Sequence, residues 1–383
     1  MASWTLSGRV LLPPGHFAEA TVQIAQGRIS QVCPGCTSHA DIISAGWIGP
    51  GFIDLQINGA WGKDFSSNGQ TVAEVAASLP ATGVTAFLPT IVTSPLTAYP
   101  GLVRVIREAA QMMAGPAAQV LGVHLEGPYL NPLRCGAHDP ALLRPIDVAE
   151  VAQWAGDPFV RLVTLAPELP GATEAIRVLR RQGIIVGAGH SNATFDQALA
   201  GFAAGIAWGT HLFNTMRELG HREPGLPGAL LVSDVPCGLI ADGIHVHPAM
   251  VRLAYRAKGA AGLALVTDAM AAMGMPPGRY MLGDVEVVVD ETGARLADGR
   301  LAGSILTMDQ AVRNVMAFTG CSLAEALTMA ATTPARVLGL AQKGRIAPGC
   351  DADLVVLDEA LRVTHTLVAG EVVYAAENVR RET

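Results

Sequence analysis

The chain has 383 residues, half of them hydrophobic and only 15% charged, with a formal net charge of -7. This composition excludes a disordered or low-complexity polymer, and the acidic balance offers no basic face for nucleic acid or anionic lipid. The length exceeds that of an ordinary single domain and predicts one large core with a smaller unit beside it.

The first fifty residues read as short strands: Trp4 to Leu12, Thr21 to Ala25 and Arg28 to Cys33, with Gln26-Gly27 as a hairpin tip. The opening MASWTLSGRV lacks the basic start, apolar run and small-residue cleavage site of a secretory signal. Six scattered Cys do not form a disulfide framework, and Cys33-Pro-Gly-Cys36, though spaced like a redox pair, has no helix start behind it. Both observations predict a cytoplasmic protein. The longest uncharged stretch, Val75 to Val103, is broken by Pro80, Pro89, Pro95 and Pro100, so no membrane span is expected there.

From residue 50 onward short buried strands recur, each followed by a helix or loop. They are Gly51 to Ile57, Val84 to Leu88, Gln119 to Glu126, Val160 to Leu165, Ile184 to Gly189, Ile206 to Gly209, Cys237 to Ile240 and Gly262 to Val266. Amphipathic stretches such as Thr71 to Leu79, Leu102 to Met113, Ala172 to Gln182 and Phe195 to Ala203 lie between them. Eight strands in this rhythm predict an α/β fold, a (β/α)8 TIM-like barrel, over a doubly wound sheet. The tail returns to strands at Ala352 to Leu357, Val363 to Val368 and Val372 to Ala375. The expected organisation is therefore a barrel over residues 50–345 and a small β-sandwich domain built from both termini, residues 1–49 and 346–383.

Polar residues sit where the strands end, and in a barrel such ends converge on one mouth. His124 and Glu126 share a face at the end of the third strand; Glu126 is either a metal ligand or a carboxylate capping the next loop. His190 follows Gly187-Ala188-Gly189, and His211 follows Gly209-Thr210. Either His alone reads equally well as a satisfied core residue, but with Glu126 they make a two-His, one-carboxylate set. Such a set suits catalytic zinc with one position open, and also Fe(II). Asp268, after Leu265-Val266-Thr267, is either a general base and acid beside that metal or the N-cap of a helix.

These motifs, in this order, resemble the N-acetylglucosamine-6-phosphate deacetylase branch of the amidohydrolase superfamily over nearly the whole chain. The resemblance runs through Pro50-Gly51-Phe52-Ile53-Asp54, the HLEGP, GHSNA and THLFN segments, and Arg222-Glu223-Pro224-Gly225. It continues through Ala241-Asp242-Gly243-Ile244-His245, Val266-Thr267-Asp268-Ala269, Gly303-Ser304 and Asp351-Ala352-Asp353-Leu354. It implies metal-dependent hydrolysis of an N-acetyl amino-sugar phosphate, with Glu126, His190 and His211 holding one divalent metal ion and Asp268 moving the proton. It further implies that His138 polarises the acetyl carbonyl, Asn214 and Thr215 contact the sugar, and Arg222 and His245 contact the phosphate. In the family that Arg reaches across a subunit interface, so a homodimer is implied.

Three departures stand out. Gln56 and Asn58 occupy the positions of the His-x-His pair that many amidohydrolases use for a second metal; amides are poor zinc ligands, so a single-metal site is expected, with both amides near the metal's water. Thr215 stands where many relatives have Ala, and Asp139 follows His138 where Asn is more usual. The rival readings are the deacetylase of the galacto epimer, N-acetylgalactosamine 6-phosphate, another amidohydrolase such as a cyclic amidase, and a non-catalytic scaffold with the same fold.

Overall fold

The structure is a computed structural model, and it describes residues 4–36, 40–113, 115, 117–154 and 156–376. Eight parallel strands run side by side in the order Phe52–Ile57, Val84–Ile91, Val123–Glu126, Val160–Leu165, Ile185–Ala188, Trp208–Gly209, Cys237–Leu239 and Leu263–Leu265. All six residues of the first and all eight of the second are buried, so these strands are apolar throughout rather than alternating, as expected when both faces are covered. The barrel closes at its mouth end. The Asp268 amide donates to the Gln56 carbonyl at 2.8 Å, the Asn58 amide donates to the Ala269 carbonyl at 2.7 Å, and Ile57 bridges Ala269 in parallel.

The helices that cover the barrel carry their own end signals. Ala172–Arg181 has Glu174 in its first turn and Arg180 and Arg181 in its last, matching the helix dipole. Phe195–Ala204 starts at a reciprocal cap between Thr194 and Gln197. Tyr99–Gln111 begins three residues earlier than the sequence pattern suggests, with Pro100 in its first turn, where a missing N–H costs nothing.

Both ends of the chain share one seven-stranded sheet. Its order is Glu371–Ala375, Val363–Val368, Leu354–Leu357, Ile42–Pro50, Trp4–Leu12, His16–Ala25, Arg28–Pro34. The two ends meet where Leu354 pairs with Pro50, and Leu6, Val10, Val22, Ile48, Leu354 and Val356 form a separate apolar cluster beneath. Gln26 and Gly27 both have positive φ, the backbone that a two-residue hairpin tip demands.

The sequence pattern did not anticipate the three-stranded antiparallel insert Gly278–Leu282, Val285–Asp290 and Gly293–Arg295. Its middle strand alternates buried and exposed residues, and Leu282, Val287, Val289, Ala294 and Ala302 pack on Val92, Met270 and Ala272. That packing sets the insert over the mouth of the barrel. Among the described residues no helix is long and apolar enough to cross a membrane, and the six cysteines are free thiols.

Candidate active site

Glu126 ends the third barrel strand and is buried, with its carboxylate at the centre of the mouth. His211 Nε2 lies 2.9 Å and His190 Nε2 3.3 Å from Glu126 Oε1, and the two Nε2 atoms are 3.1 Å apart. Ligand atoms about 2.0–2.1 Å from a tetrahedral ion stand about 3.3 Å from one another, so this triangle fits one face of a zinc-type site. The His190 Nδ1–H donates to the Arg134 carbonyl at 2.9 Å, which leaves its Nε2 lone pair facing inward. His211 Nδ1 is buried without a partner.

Burial alone would raise the Glu126 pKa, but the hydrogen bonds and charges of His190 and His211 outweigh it and hold the carboxyl well below the usual range. Burial likewise works against a charged His211, and Glu126 reverses it, raising that imidazole. An anionic carboxylate flanked by two imidazoles is the donor set a divalent cation would take.

His138 adds a third imidazole, and Glu126, His138 and His190 also place one ligand atom each within 4.8 Å of one another. Its tautomer argues for another use. The Thr93 amide donates to His138 Nδ1 at 3.2 Å, with the Thr93 hydroxyl 2.7 Å from the same nitrogen. The ring proton therefore sits on Nε2, 3.8 Å from Glu126 Oε2, and burial followed by the neighbouring His190 pushes the pKa down to about 3. His138 is a neutral N–H donor aimed into the site. Asp139 turns away, capping the short helix Pro140–Leu142 from an exposed position, so its charge is not part of the cavity.

Asp268 stands across the seam. Burial, then the charge of Glu126, raises its pKa to about 6, and the Asn58 side-chain amide donates to its Oδ1 at 2.8 Å. The Gln56 amide donates to Glu126 Oε1 at 2.9 Å. Each amide thus braces one carboxylate, and the carbonyl oxygens Gln56 Oε1 and Asn58 Oδ1 are buried without partners. Beneath them, the Thr267 hydroxyl and amide donate to Asp54, whose own pKa burial raises to about 7.

The backbone at these positions is unusual. His190, His211 and Asp268 have φ of 47°, 30° and 47°, in the left-handed region that non-glycine residues seldom adopt. Held there by the surrounding loops, each side chain turns off its strand axis toward the same point. Glu168 braces one such loop, accepting from the Ser191 hydroxyl, the Asn192 amide and the Asn131 side chain.

The cavity in front of this centre is about 260 Å³, room for a monosaccharide rather than a polymer. Asn58, Glu126, His138, His190, His211 and Asp268 line it, together with Asn214, Thr215, His245 and Arg300. Gly136 closes it from above with φ 60°; a Cβ there would come within 2.7 Å of Thr215 Cγ2 and 3.1 Å of His190 Cε1. His245 Nδ1 is 2.6 Å from Asp242, which also accepts the Ile244 and His245 amides. The structure thus gathers ten of the eleven singled-out residues at or beside one centre. Arg222 is the exception: it is exposed and does not line this cavity. Thr93, Asp54, Glu168 and Arg300 escaped the sequence reading; Glu168 alone carried a signal, as a carboxylate shortly after the fourth strand.

The comparisons with known proteins follow the same lines. The model of the Amidohydrolase family matches residues 47–373. The N-acetylglucosamine-6-phosphate deacetylase of Bos taurus is 42% identical over 98% of this chain and 92% of its own length. The N-acetylgalactosamine-6-phosphate deacetylase of Escherichia coli O157:H7 is 40% identical over 95% of this chain and 97% of its own. Among solved structures, the N-acetyl-D-glucosamine-6-phosphate deacetylase of Mycobacterium smegmatis, an aspartate-to-alanine mutant in complex with N-acetyl-D-glucosamine-6-phosphate, superimposes with a TM-score of 0.92. It is 37% identical and covers 98% of this chain and 100% of its own. With a family match that spans both the barrel and most of the terminal sheet, and near-full-length relatives at about 40% identity, the chain belongs to the amidohydrolase family.

Proposed function

We propose that this protein hydrolyses the N-acetyl group of N-acetyl-D-glucosamine 6-phosphate, releasing acetate and D-glucosamine 6-phosphate. The observation that carries the reading is the Glu126–His190–His211 triangle with an acid-base carboxylate, Asp268, on one side and a neutral N–H donor, His138, on the other. In this reading Glu126, His190 and His211 hold a single divalent ion, zinc being the best match to the donor set. Bound there, the metal supplies Lewis acidity, lowering the pKa of a water toward about 7 and polarising the acetyl carbonyl.

The chain's own residues do the rest. Asp268 accepts the proton of the attacking water and returns it to the departing amine nitrogen. A pKa raised by burial suits a carboxylate that must both take and give that proton. The Nε2–H of His138 donates to the acetyl oxygen as negative charge builds on it, a contribution of about 3–4 kcal/mol for one such donor. Asn58 holds Asp268 in register, and Gln56 does the same for Glu126. Amides in place of a second pair of imidazoles argue for one metal rather than two.

Asn214, Thr215 and His245 would contact the sugar phosphate. Arg222, off its own cavity, would serve the cavity of a second copy in a homodimer, and the protein would act in the cytoplasm. The 40% identity to the galacto-specific relative supports N-acetylgalactosamine 6-phosphate as the second reading. Acetate release by the zinc-loaded protein from each epimer and from unphosphorylated N-acetylglucosamine tests the assignment. Turnover confined to the gluco 6-phosphate is expected; turnover confined to the galacto epimer, or none with metal bound, overturns it.

A further inference from the structure

We propose that Arg300, on the antiparallel insert, binds the 6-phosphate of the substrate from within the same subunit. The inference rests on the sugar-phosphate reading above. A phosphate dianion entering a pocket calls for a permanent cation, and a guanidinium offers it paired, directional donors. Among the described residues that line the cavity, Arg300 is the one Arg or Lys side chain. Its neighbours on the same cavity include His245, Leu301 and Gly303, so it stands beside the imidazole assigned to the phosphate.

The guanidinium is already held in place. Its Nε donates to Asp298 Oδ2 at 2.8 Å and its Nη2 lies 2.7 Å from the same oxygen, while Nη1 donates to the Gly136 carbonyl and lies 3.4 Å from Cys135 Sγ. Five N–H groups are available, and one of these acceptors is a weak sulfur, so donor capacity remains for an incoming oxyanion. The side chain is 48% exposed, at the mouth rather than in the core, where a ligand can reach it without unpacking the fold. Across the cavity, Asp242 accepts from His245 Nδ1 and leaves Nε2 for the ligand. Arg300 and His245 would then grip the phosphate from two sides, with no residue borrowed from a second copy.

Gly136 lies two residues before His138, so a latch between Arg300 and that turn must be separated from a phosphate contact. Arg300→Gln retains an amide donor but loses the charge, and Arg300→Lys retains the charge but loses the fork. For Arg300→Gln the KM for the phosphorylated sugar should rise tenfold or more with kcat within about twofold, while kcat/KM for unphosphorylated N-acetylglucosamine stays unchanged. Arg300→Lys should recover part of the loss. Equal losses on both sugars would mean a loop latch and overturn the proposal. So would an unchanged KM, or a rise confined to Arg222→Gln.

Calorimetric binding of inorganic phosphate to the zinc-loaded wild type and both Arg300 variants, each checked by its melting temperature, needs no turnover. Binding weakened by Arg300→Gln supports the contact even if the wild type releases no acetate, in which case the substrate assignment alone has failed. Equal binding by wild type and variant overturns the contact.

Discussion

The wall that gathers Glu126, His190, His211 and Asp268 is built from strand ends, whereas the wall that carries Arg300 and Gly136 is built from connections. On the first, every carboxylate has an amide brace, and the residues are buried. On the second, Arg300 is half exposed, and its hold on the barrel comes from a small apolar cluster under the insert. The difference separates chemistry from recognition. Bond-making groups need fixed positions and neighbours that set their protonation, which a closed barrel supplies. Groups that choose a substrate can sit on attachments that vary without disturbing the barrel.

The largest test of the strand-built wall is Asp268→Asn. Removing the proton carrier while keeping shape and the Asn58 contact should cut kcat by about 10²–10⁴-fold, the usual range for a positioned acid-base group. Bound metal, measured on the same preparations, should be unchanged. Turnover near that of the wild type would take the proton transfer away from Asp268, and a simultaneous loss of metal would make it a ligand instead.

His138→Gln comes next, because His138 sits where the two walls meet: its ring is fixed by Thr93 and its chain position lies beside Gly136. Loss of the Nε2–H should lower kcat about 10²–10³-fold, with metal content again intact. Since its pKa is pushed down to about 3, the imidazole stays neutral across the working range. The wild-type kcat profile between pH 5 and 9 should therefore show no limb that disappears in His138→Gln. Loss of metal in this variant would instead place His138 among the ligands.

The same contrast explains what could be read from the sequence. Short apolar strands ending in His, Glu or Asp mark barrel strand ends by period alone, so the barrel and its metal-binding face were legible. The first strand was legible as well, because Phe52–Ile57 is apolar throughout apart from Asp54 and Gln56. Left-handed φ at His190, His211 and Asp268 was not, because nothing in these residue types requests it; the surrounding loops impose it. Thr93 and Arg300 were hidden for a different reason. Each acts through contacts tens of residues away in the chain, Thr93 on His138 and Arg300 on Gly136. The insert itself offered only the alternation of Val285–Asp290, too short to distinguish a surface hairpin from a loop.

The smallest expected effect probes what lies under the strand-built wall. Asp54 is buried at the seam between the first and last strands and accepts from the Thr267 hydroxyl and amide, one residue from Asp268. Burial raises its pKa from 3.8 to about 7. Between these values the folded chain binds a proton that the unfolded chain has released, so stability falls as pH rises through this window and is level above it. A shift of this size corresponds to at most about 4 kcal/mol, and relaxation around the buried charge should reduce it to about 2 kcal/mol. Asp54→Asn cannot ionise, so its melting temperature relative to the wild type should climb from pH 5 to pH 8, with the metal-free forms compared at both. A constant difference would mean that Asp54 is ionised throughout and that the seam tolerates a buried charge. In that case the Thr267 contacts, and with them the placement of Asp268, depend on an anion rather than on a neutral acid.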